Sequence, residues 1–334
     1  MFMHKRRKQL KLVAIFLVAI FLCVCSSCTK KVKDEQSLIF YGFSVHVLDV
    51  GEGDCILIRL SDGKNMLIDS GDKSDKVSDC IINFLVNYGV EKLDYFVITH
   101  PDSDHCGNAL DIINKFSVGT AFVPDMLADR YDFYQTYKTF YQKLLIVAEE
   151  IKTSDCYKII KNEDYAIAFL TPNPKSFDES SYRDFNEVIE PLQEQSNALS
   201  PIIYLEYCGV RFLFTGDAPV SQEKLALKQV ELMGNYYDTN GISVNLENID
   251  FLKVSHHGAD DASSLEFLQA IMPENAIISV GGNNNYGHPN RNVLERLETV
   301  NPDYKLYRTD VHGAVSVNVN SDGSYQIITD KKIT

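Results

Sequence analysis

No stretch of this 334-residue chain carries a basic stripe, and its formal net charge is −14. Clustered Lys and Arg supply most of the non-specific affinity for nucleic acid, so a long duplex is not an expected ligand. Long apolar runs are scarce as well. The extended run Leu12–Cys25 is shorter than the roughly 20 residues that cross a bilayer, so the chain is not expected to build a transmembrane channel. After Cys28 five cysteines remain (Cys55, Cys80, Cys106, Cys156 and Cys208), without a CxxC pair or zinc-finger spacing. An odd, unpaired set gives no sign of a disulfide framework, and Cys55 and Cys208, in apolar runs, read as small core residues. Repeats at solenoid spacing and low-complexity tracts are missing too. What is left, at 45% apolar content, is a chain long enough for one large domain or two small ones.

The N-terminus stands apart. "KRRKQLK" (5–11) precedes the apolar run and Ser26-Ser27-Cys28 follows it. A basic segment, a short apolar stretch and small residues form the pattern of an export signal, expected over residues 1–27. An uncleaved anchor is the alternative. Cys28 stands where a bacterial lipoprotein carries its lipidated cysteine, with Cys25 where Leu is usual, so residues 28–40 are expected to be a lipid-attachment site and linker. Loss of residues 1–27 removes five basic residues and no acidic ones, taking the net charge from −14 to −19.

From residue 41 to about 330 a single domain is expected. "FSVHVLDVGEGDCILIRL" (43–60) reads as strand, Gly-rich turn, strand, and "KNMLIDSGD" (64–72) adds a third strand through an Asp62-Gly63 turn. Residues 75–88 have helical spacing, and "LDYFVITH" (93–100) returns to strand. "YDFYQTYKTFYQKLLIVAEEI" (131–151) reads as a helix with Phe133, Tyr137, Phe140 or Tyr141, Leu144 and Ala148 on a core-facing stripe. The polar stretch 176–195 reads as an exposed loop. Strand patterns then resume: a hairpin turning at Cys208-Gly209, "IDFLKVSHHG" (249–258) and "NAIISVGGNNNYGHP" (275–289). Strand–helix alternation after β-hairpins indicates a layered α/β fold.

Strand ends in this pattern repeatedly deliver metal-type donors. His100, Asp102, Asp104 and His105 follow one strand, Asp217 a second, His256-His257 a third, and His288 a fourth. Imidazole and carboxylate hold zinc, manganese or iron, and strand ends give such ligands a rigid base. His46, inside a strand, reads as structural, and His312 as a turn residue.

The motifs "DVGEGDCILI" (49–58), "LIDSG" (67–71), "THPDSDHCGN" (99–108), "NALS" (197–200), "FLFTGD" (212–217), "LKVSHHG" (252–258) and "YGHP" (286–289) together resemble the metallo-β-lactamase superfamily. Within it they are similar to the hydrolase domain of ComEC-type competence proteins. The resemblance covers residues 41 to about 320. It implies a four-layer αββα sandwich holding two divalent metal ions, Zn²⁺ or Mn²⁺. Metal ligands would be His100, Asp102, Asp104, His105, Asp217 and His257, with Asp217 as the bridge. Candidate catalytic residues are Asp104, His256 and His288, the last from the rim.

The sequence departs from the family at several positions. Asp102 replaces a histidine, which makes the site richer in oxygen and leans it towards manganese or a mixed zinc/manganese preference. Cys106 and Asn108 stand where an aliphatic residue and a glycine are usual, and Asn108 can tolerate left-handed backbone. No histidine occupies a TPGHT-like segment between 110 and 200, where "TPNP" (171–174) and Asn197 are the candidates. The implied reaction is hydrolysis by a metal-bound hydroxide, on a phosphodiester: a small diester, a nucleic-acid fragment or a cell-envelope diester. Amide or lactone hydrolysis, and a non-catalytic binding lipoprotein of the same fold, are the alternatives.

Overall fold

The computed structural model describes residues 42–124, 134–172 and 196–331. The expected export signal, Cys28, the linker, Phe133 and the 176–195 loop lie outside the described residues.

Short alternating segments make fifteen strands among the described residues. They begin with β1 (Phe43–Val47), β2 (Ile56–Arg59), β3 (Asn65–Ile68), β4 (Lys92–Val97), β5 (Ser117–Val123) and β6 (Ala148–Thr153). Then come β7 (Ile159–Lys161), β8 (Tyr165–Phe169), β9 (Ile203–Tyr207), β10 (Val210–Phe214), β11 (Phe251–Lys253), β12 (Asn275–Ile278) and β13 (Lys305–Arg308). The last two are β14 (Val315–Val319) and β15 (Tyr325–Thr329). One sheet runs β15-β14-β1-β2-β3-β4-β5-β6 and the other β13-β12-β11-β10-β9-β8-β7. Both are mixed. β3 to β6 run parallel in the first, β10 to β13 in the second, and the remaining neighbours pair antiparallel.

Period-two alternation sends one face of each sheet inward. Phe43, Val45, Ile56 and Ile58 meet Ile203, Leu205, Phe212 and Phe251 in a core between the sheets. Phe212 stacks on Phe251 at 4.8 Å between ring centroids. The other face of the first sheet, with Leu57, Leu67 and Phe96, packs against α1 (Asp75–Asn87), α3 (Ala109–Lys115) and α4 (Gln135–Val147), after the short α2 (Ser103–Cys106). The outer face of the second sheet, with Leu213, Leu252 and Ala276, takes α5 (Val220–Thr239), α6 (Leu265–Ile271) and α7 (Arg291–Val300), before the short α8 (Thr309–His312). Helix, sheet, sheet, helix is the expected αββα sandwich. Each buried Phe or Leu contributes about 1.5–3 kcal/mol, so the three cores fix the strand ends firmly.

Two local expectations need correction, and Asn108 does not use the left-handed backbone open to it. The aromatic stripe is core, with Tyr137, Phe140 and Leu144 buried, but the helix stops at Val147 and Ala148–Thr153 is strand β6. Parallel pairing with β5 overrides the helical period there. Cys208 is exposed, at the tip of the β9–β10 hairpin with φ of 48°, and is no core residue. Asn108 has φ of −105°, not left-handed. Its side chain holds the loop instead: Nδ2 donates to the carbonyls of Ser70 and Asp72, and Oδ1 accepts from the Ser74 amide.

His46 is structural, as read. It is buried in β1 between Ser44 and Ser316, whose hydroxyls lie 2.9 and 2.8 Å from its ring nitrogens. Burial, with Arg59 adding to it, pushes its pKa down from 6.5 to about 3. His312 closes α8, where its Nδ1 accepts from the Arg308 amide.

Candidate metal centre

The parallel strands of both sheets deliver their C-terminal ends to one place. β3 ends in Asp69, β4 in His100, β10 in Asp217, β11 in His256-His257 and β12 in Ser279. Beyond β4 the chain turns through Asp102, whose carbonyl accepts from the amides of His105 and Cys106 as α2 begins. Gly216 lets β10 pass close by, since a Cβ there would lie 3.2 Å from Ser200 and Thr99. His256 and His257 take φ of 49° and 52°, before Gly258 at 84°. Two consecutive left-handed non-glycine residues cost on the order of 1–3 kcal/mol each and persist where the surroundings dictate them.

What dictates them is the direction of the imidazoles. His257 Nδ1 donates to the Ser279 carbonyl at 2.8 Å, and His256 Nδ1 to Asp261 at 2.9 Å. His105 Nδ1 donates to Asp69 Oδ2 at 2.8 Å. Thr99 Oγ1 gives its proton to Asp69 at 2.7 Å, so it accepts from His100 Nδ1 at 3.1 Å. With every Nδ1 committed, all four rings turn Nε2 inward, the arrangement by which outer partners orient metal-binding histidines.

Those Nε2 atoms converge on Asp217. Its Oδ1 lies 3.2 Å from His105, while its Oδ2 lies 3.6 Å from His257, 3.8 Å from His256 and 3.9 Å from His100. Asp104 Oδ2 is 3.4 Å from His257 and 3.7 Å from His105, and Asp102 Oδ2 is 3.7 Å from His100. Ligand atoms of Asp104, His105, Asp217 and His257 all fall within 4.8 Å of one another. Nε2 of His100, His105 and His257 and Oδ1 of Asp217 are buried without a hydrogen-bond partner. Bare lone pairs facing carboxylates in a buried site call for a cation between them, and the donor set fits a divalent metal.

Protons compete for the same place. Burial opposes charge on His105, but Asp217, Asp104 and Asp69 outweigh it and hold its pKa well above 6.5. The same contest lifts His257 to about 8, and drives Asp217 and Asp104 down through His105 and His257. His100 goes the other way, to about 4, through burial and the neighbouring His105. Burial and Asp104 raise Asp102 to about 6.

The structure thus brings together every site residue expected from the sequence, His288 at the edge. His288 Nδ1 donates to Glu52 at 3.0 Å, and its ring centroid is 5.6 Å from that of His256. It is a part-buried rim residue rather than a free surface histidine. Where a further histidine was sought, Ser196 donates to Asp102 at 3.2 Å and Ser200 Oγ lies 3.2 Å from His100 Nδ1. Thr171 of the TPNP segment accepts from the Ile202 amide, a structural bond, and residues 173–174 lie outside the described residues.

Sequence reasoning gave no roles to Asp69, Asp54 or Lys253. Asp69 orients His105 from the end of β3. Asp54 and Lys253 form an ion pair of 2.6 Å beneath the site, both almost wholly buried. "LIDSG" and "DVGEGD" were visible as motifs, but the partners of their aspartates lie 36 and 199 residues away.

The layering of helices on the outer faces of two mixed sheets is a metallo-β-lactamase fold, and residues 48–188 match the model of the metallo-β-lactamase superfamily. Over 299 residues the chain is 24% identical to ComE operon protein 3 of Bacillus subtilis (strain 168), covering 85% of this chain and 34% of that protein. It is 28% identical to competence protein ComA of Neisseria gonorrhoeae, covering 84% and 33%. With recombination protein 2 of Haemophilus influenzae the figures are 25%, 84% and 29%. The chain spans about a third of the length of these curated relatives, and its likeness to them is that of a ComEC-type domain.

Proposed function

We propose that this metallo-β-lactamase-type hydrolase holds two divalent ions, Zn²⁺ or Mn²⁺, and cleaves a phosphodiester. The observation that carries this reading is Asp217, whose carboxylate lies at the centre of the cluster, Oδ1 facing His105 and Oδ2 facing His257, His256 and His100 together. Asp104, His105 and His257 would hold one ion, His100 and Asp102 the other, and Asp217 would serve both. When bound, such ions supply Lewis acidity and an activated water.

The chain's own residues do the rest. Ser200, Thr99, Asp69 and Ser279 hold the imidazole tautomers. His256, anchored by Asp261 and a quarter exposed, is placed to pass a proton to a leaving oxygen. His288, braced by Glu52, faces a substrate from the rim.

The mature chain is proposed to be exported and tethered to the membrane through lipidated Cys28. With a charge near −19 it is proposed to take a small diester or short fragment, not a long duplex. The test is turnover of bis-p-nitrophenyl phosphate by purified protein in Zn²⁺ and in Mn²⁺, beside a lactone and an amide. Diester turnover that needs added metal is expected. Lactone or amide turnover alone would replace the substrate class, and metal binding without any turnover would favour a binding protein. For the tether, palmitate labelling should vanish in Cys28→Ala, and labelling that persists rejects it.

A further inference from the structure

From the proposed metal centre a row of rings leads outward to solvent. His256 Nε2 lies 3.8 Å from Asp217, the His288 ring centroid lies 5.6 Å from that of His256, and the Tyr286 centroid lies 5.5 Å from that of His288. Tyr286 and His288 stack, with 19° between their planes. Tyr286 is 75% exposed, and among the described residues it is the one exposed Phe or Tyr. Aromatic rings gain by burial, so one held in solvent at the mouth of a site offers that gain to a ligand.

The turn that carries this ring is built into the site. Asn284 closes it: Nδ2 donates to the carbonyls of Gly281 and His288, and Oδ1 accepts from the His288 amide. Glu52, from the β1–β2 loop, accepts from the Gly281 amide at 2.9 Å and from His288 Nδ1 at 3.0 Å, so one carboxylate fixes both ends. The Asn290 amide donates to the Gly258 carbonyl, beside the histidine pair. Stacked on a braced imidazole, Tyr286 keeps its other face open to solvent. A ring already ordered in this way loses little conformational freedom when a ligand lands on it.

We propose that Tyr286, backed by His288, is a stacking platform for a flat aromatic group on one ester arm of the substrate, a nucleobase being the type. The inference rests on the phosphodiester reading and narrows it, because an arm ending in an alkyl chain has no ring to set on Tyr286. Stacking also suits so acidic a chain. It recognises the face of a ring rather than a run of phosphates, so it needs no stripe of Lys and Arg. Tyr286 stands away from the reacting atoms, so it sets affinity and selectivity rather than the rate of the chemical step.

The experiment titrates Mn²⁺-loaded protein calorimetrically with thymidine monophosphate, with deoxyribose phosphate, which lacks the base, and with phosphocholine. Wild type, Tyr286→Ala and Tyr286→Phe are compared. Wild type should bind thymidine monophosphate about 5- to 100-fold tighter than deoxyribose phosphate, the scale of one base stacked on one aromatic ring. Tyr286→Ala should lose that preference while its affinity for deoxyribose phosphate stays, and Tyr286→Phe should keep it. On a thymidine dinucleotide, Tyr286→Ala should raise KM and spare kcat. Equal wild-type affinity for the first two ligands, or tighter binding of phosphocholine, overturns the platform. So does an equal loss for both sugar phosphates in Tyr286→Ala, the mark of a mere brace for His288. A base preference in a protein that turns over no diester upholds the platform and overturns the phosphodiesterase reading. A protein that loads no metal and binds none of the three overturns both.

Discussion

Asp217 faces two unlike surroundings. On one side His105 and His257 are buried, and each is fixed through Nδ1, to Asp69 and to the Ser279 carbonyl. Only Asp104, with 30% of its side chain exposed, opens that side to solvent. On the other side His100 is buried, with Nδ1 3.1 Å from Thr99 Oγ1 and 3.2 Å from Ser200 Oγ, while Asp102 is a quarter exposed and accepts from Ser196. That side offers one imidazole and one carboxylate beside Asp217, where the first offers two imidazoles and a carboxylate. The difference teaches that, if the proposed two ions bind, they bind unequally, the position at Asp104, His105 and His257 drawing ligands from both sheets and the one at His100 and Asp102 having fewer imidazoles.

The largest disturbance of that comparison is to remove what both sides share. Asp217→Ala should keep the fold yet lower turnover by orders of magnitude, as expected when an activated nucleophile is lost. Steady-state kinetics and circular dichroism check this, and near-normal turnover would count against a shared ligand. Next come the sides singly. His257→Ala should lose the tight ion, whereas Asp102→Ala should weaken only the loose one, which metal titration of the two variants separates. Equal effects would erase the asymmetry. Smaller still is Asp69→Asn, which keeps the shape but weakens the brace on His105. Metal affinity should fall about 10–100-fold, the usual scale for a hydrogen-bond partner of a metal ligand.

The centre was legible where ligands sit close together in sequence or at a strand end. His100, Asp102, Asp104 and His105 fall within one turn, and Asp217 and His257 each follow an apolar strand, so their placement marked them as metal-type donors and the resemblance to the metallo-β-lactamase superfamily implied the ligand set. Asp69 and Ser279 were not nominated, because what they hold is reached only once two strands lie side by side. Lys253 was harder still. Its alternation with Phe251 and Leu252 puts a charge where the pattern calls for an apolar residue, and only the facing Asp54 explains it. In the fold, a layered α/β pattern was readable and the four-layer sandwich followed from the resemblance, while the end of α4 was not legible. Ala148 continues the helical period, and it is the parallel partner β5 that turns Ala148–Thr153 into strand.

The smallest predicted effect lies away from the centre and serves as its contrast. His46 is neutral when folded, with a pKa of about 3 against 6.5. Between those values the unfolded chain binds a proton that the folded chain refuses, so stability rises with pH there and is lost as pH falls from 6.5. The slope owed to one proton is at most about 1.4 kcal/mol per pH unit. Urea unfolding of His46→Leu from pH 7 to 5 should show a shallower acid loss than wild type, and an equal slope would dismiss His46 as its source.

The central claim is that one carboxylate serves two divalent ions of unequal affinity. Titration of metal-stripped protein with Zn²⁺, and separately with Mn²⁺, tests it most directly when wild type and Asp217→Asn are compared. Two ions per chain with well-separated affinities are predicted for wild type, and one ion or none for Asp217→Asn. Two ions retained in Asp217→Asn at undiminished affinity would contradict the account.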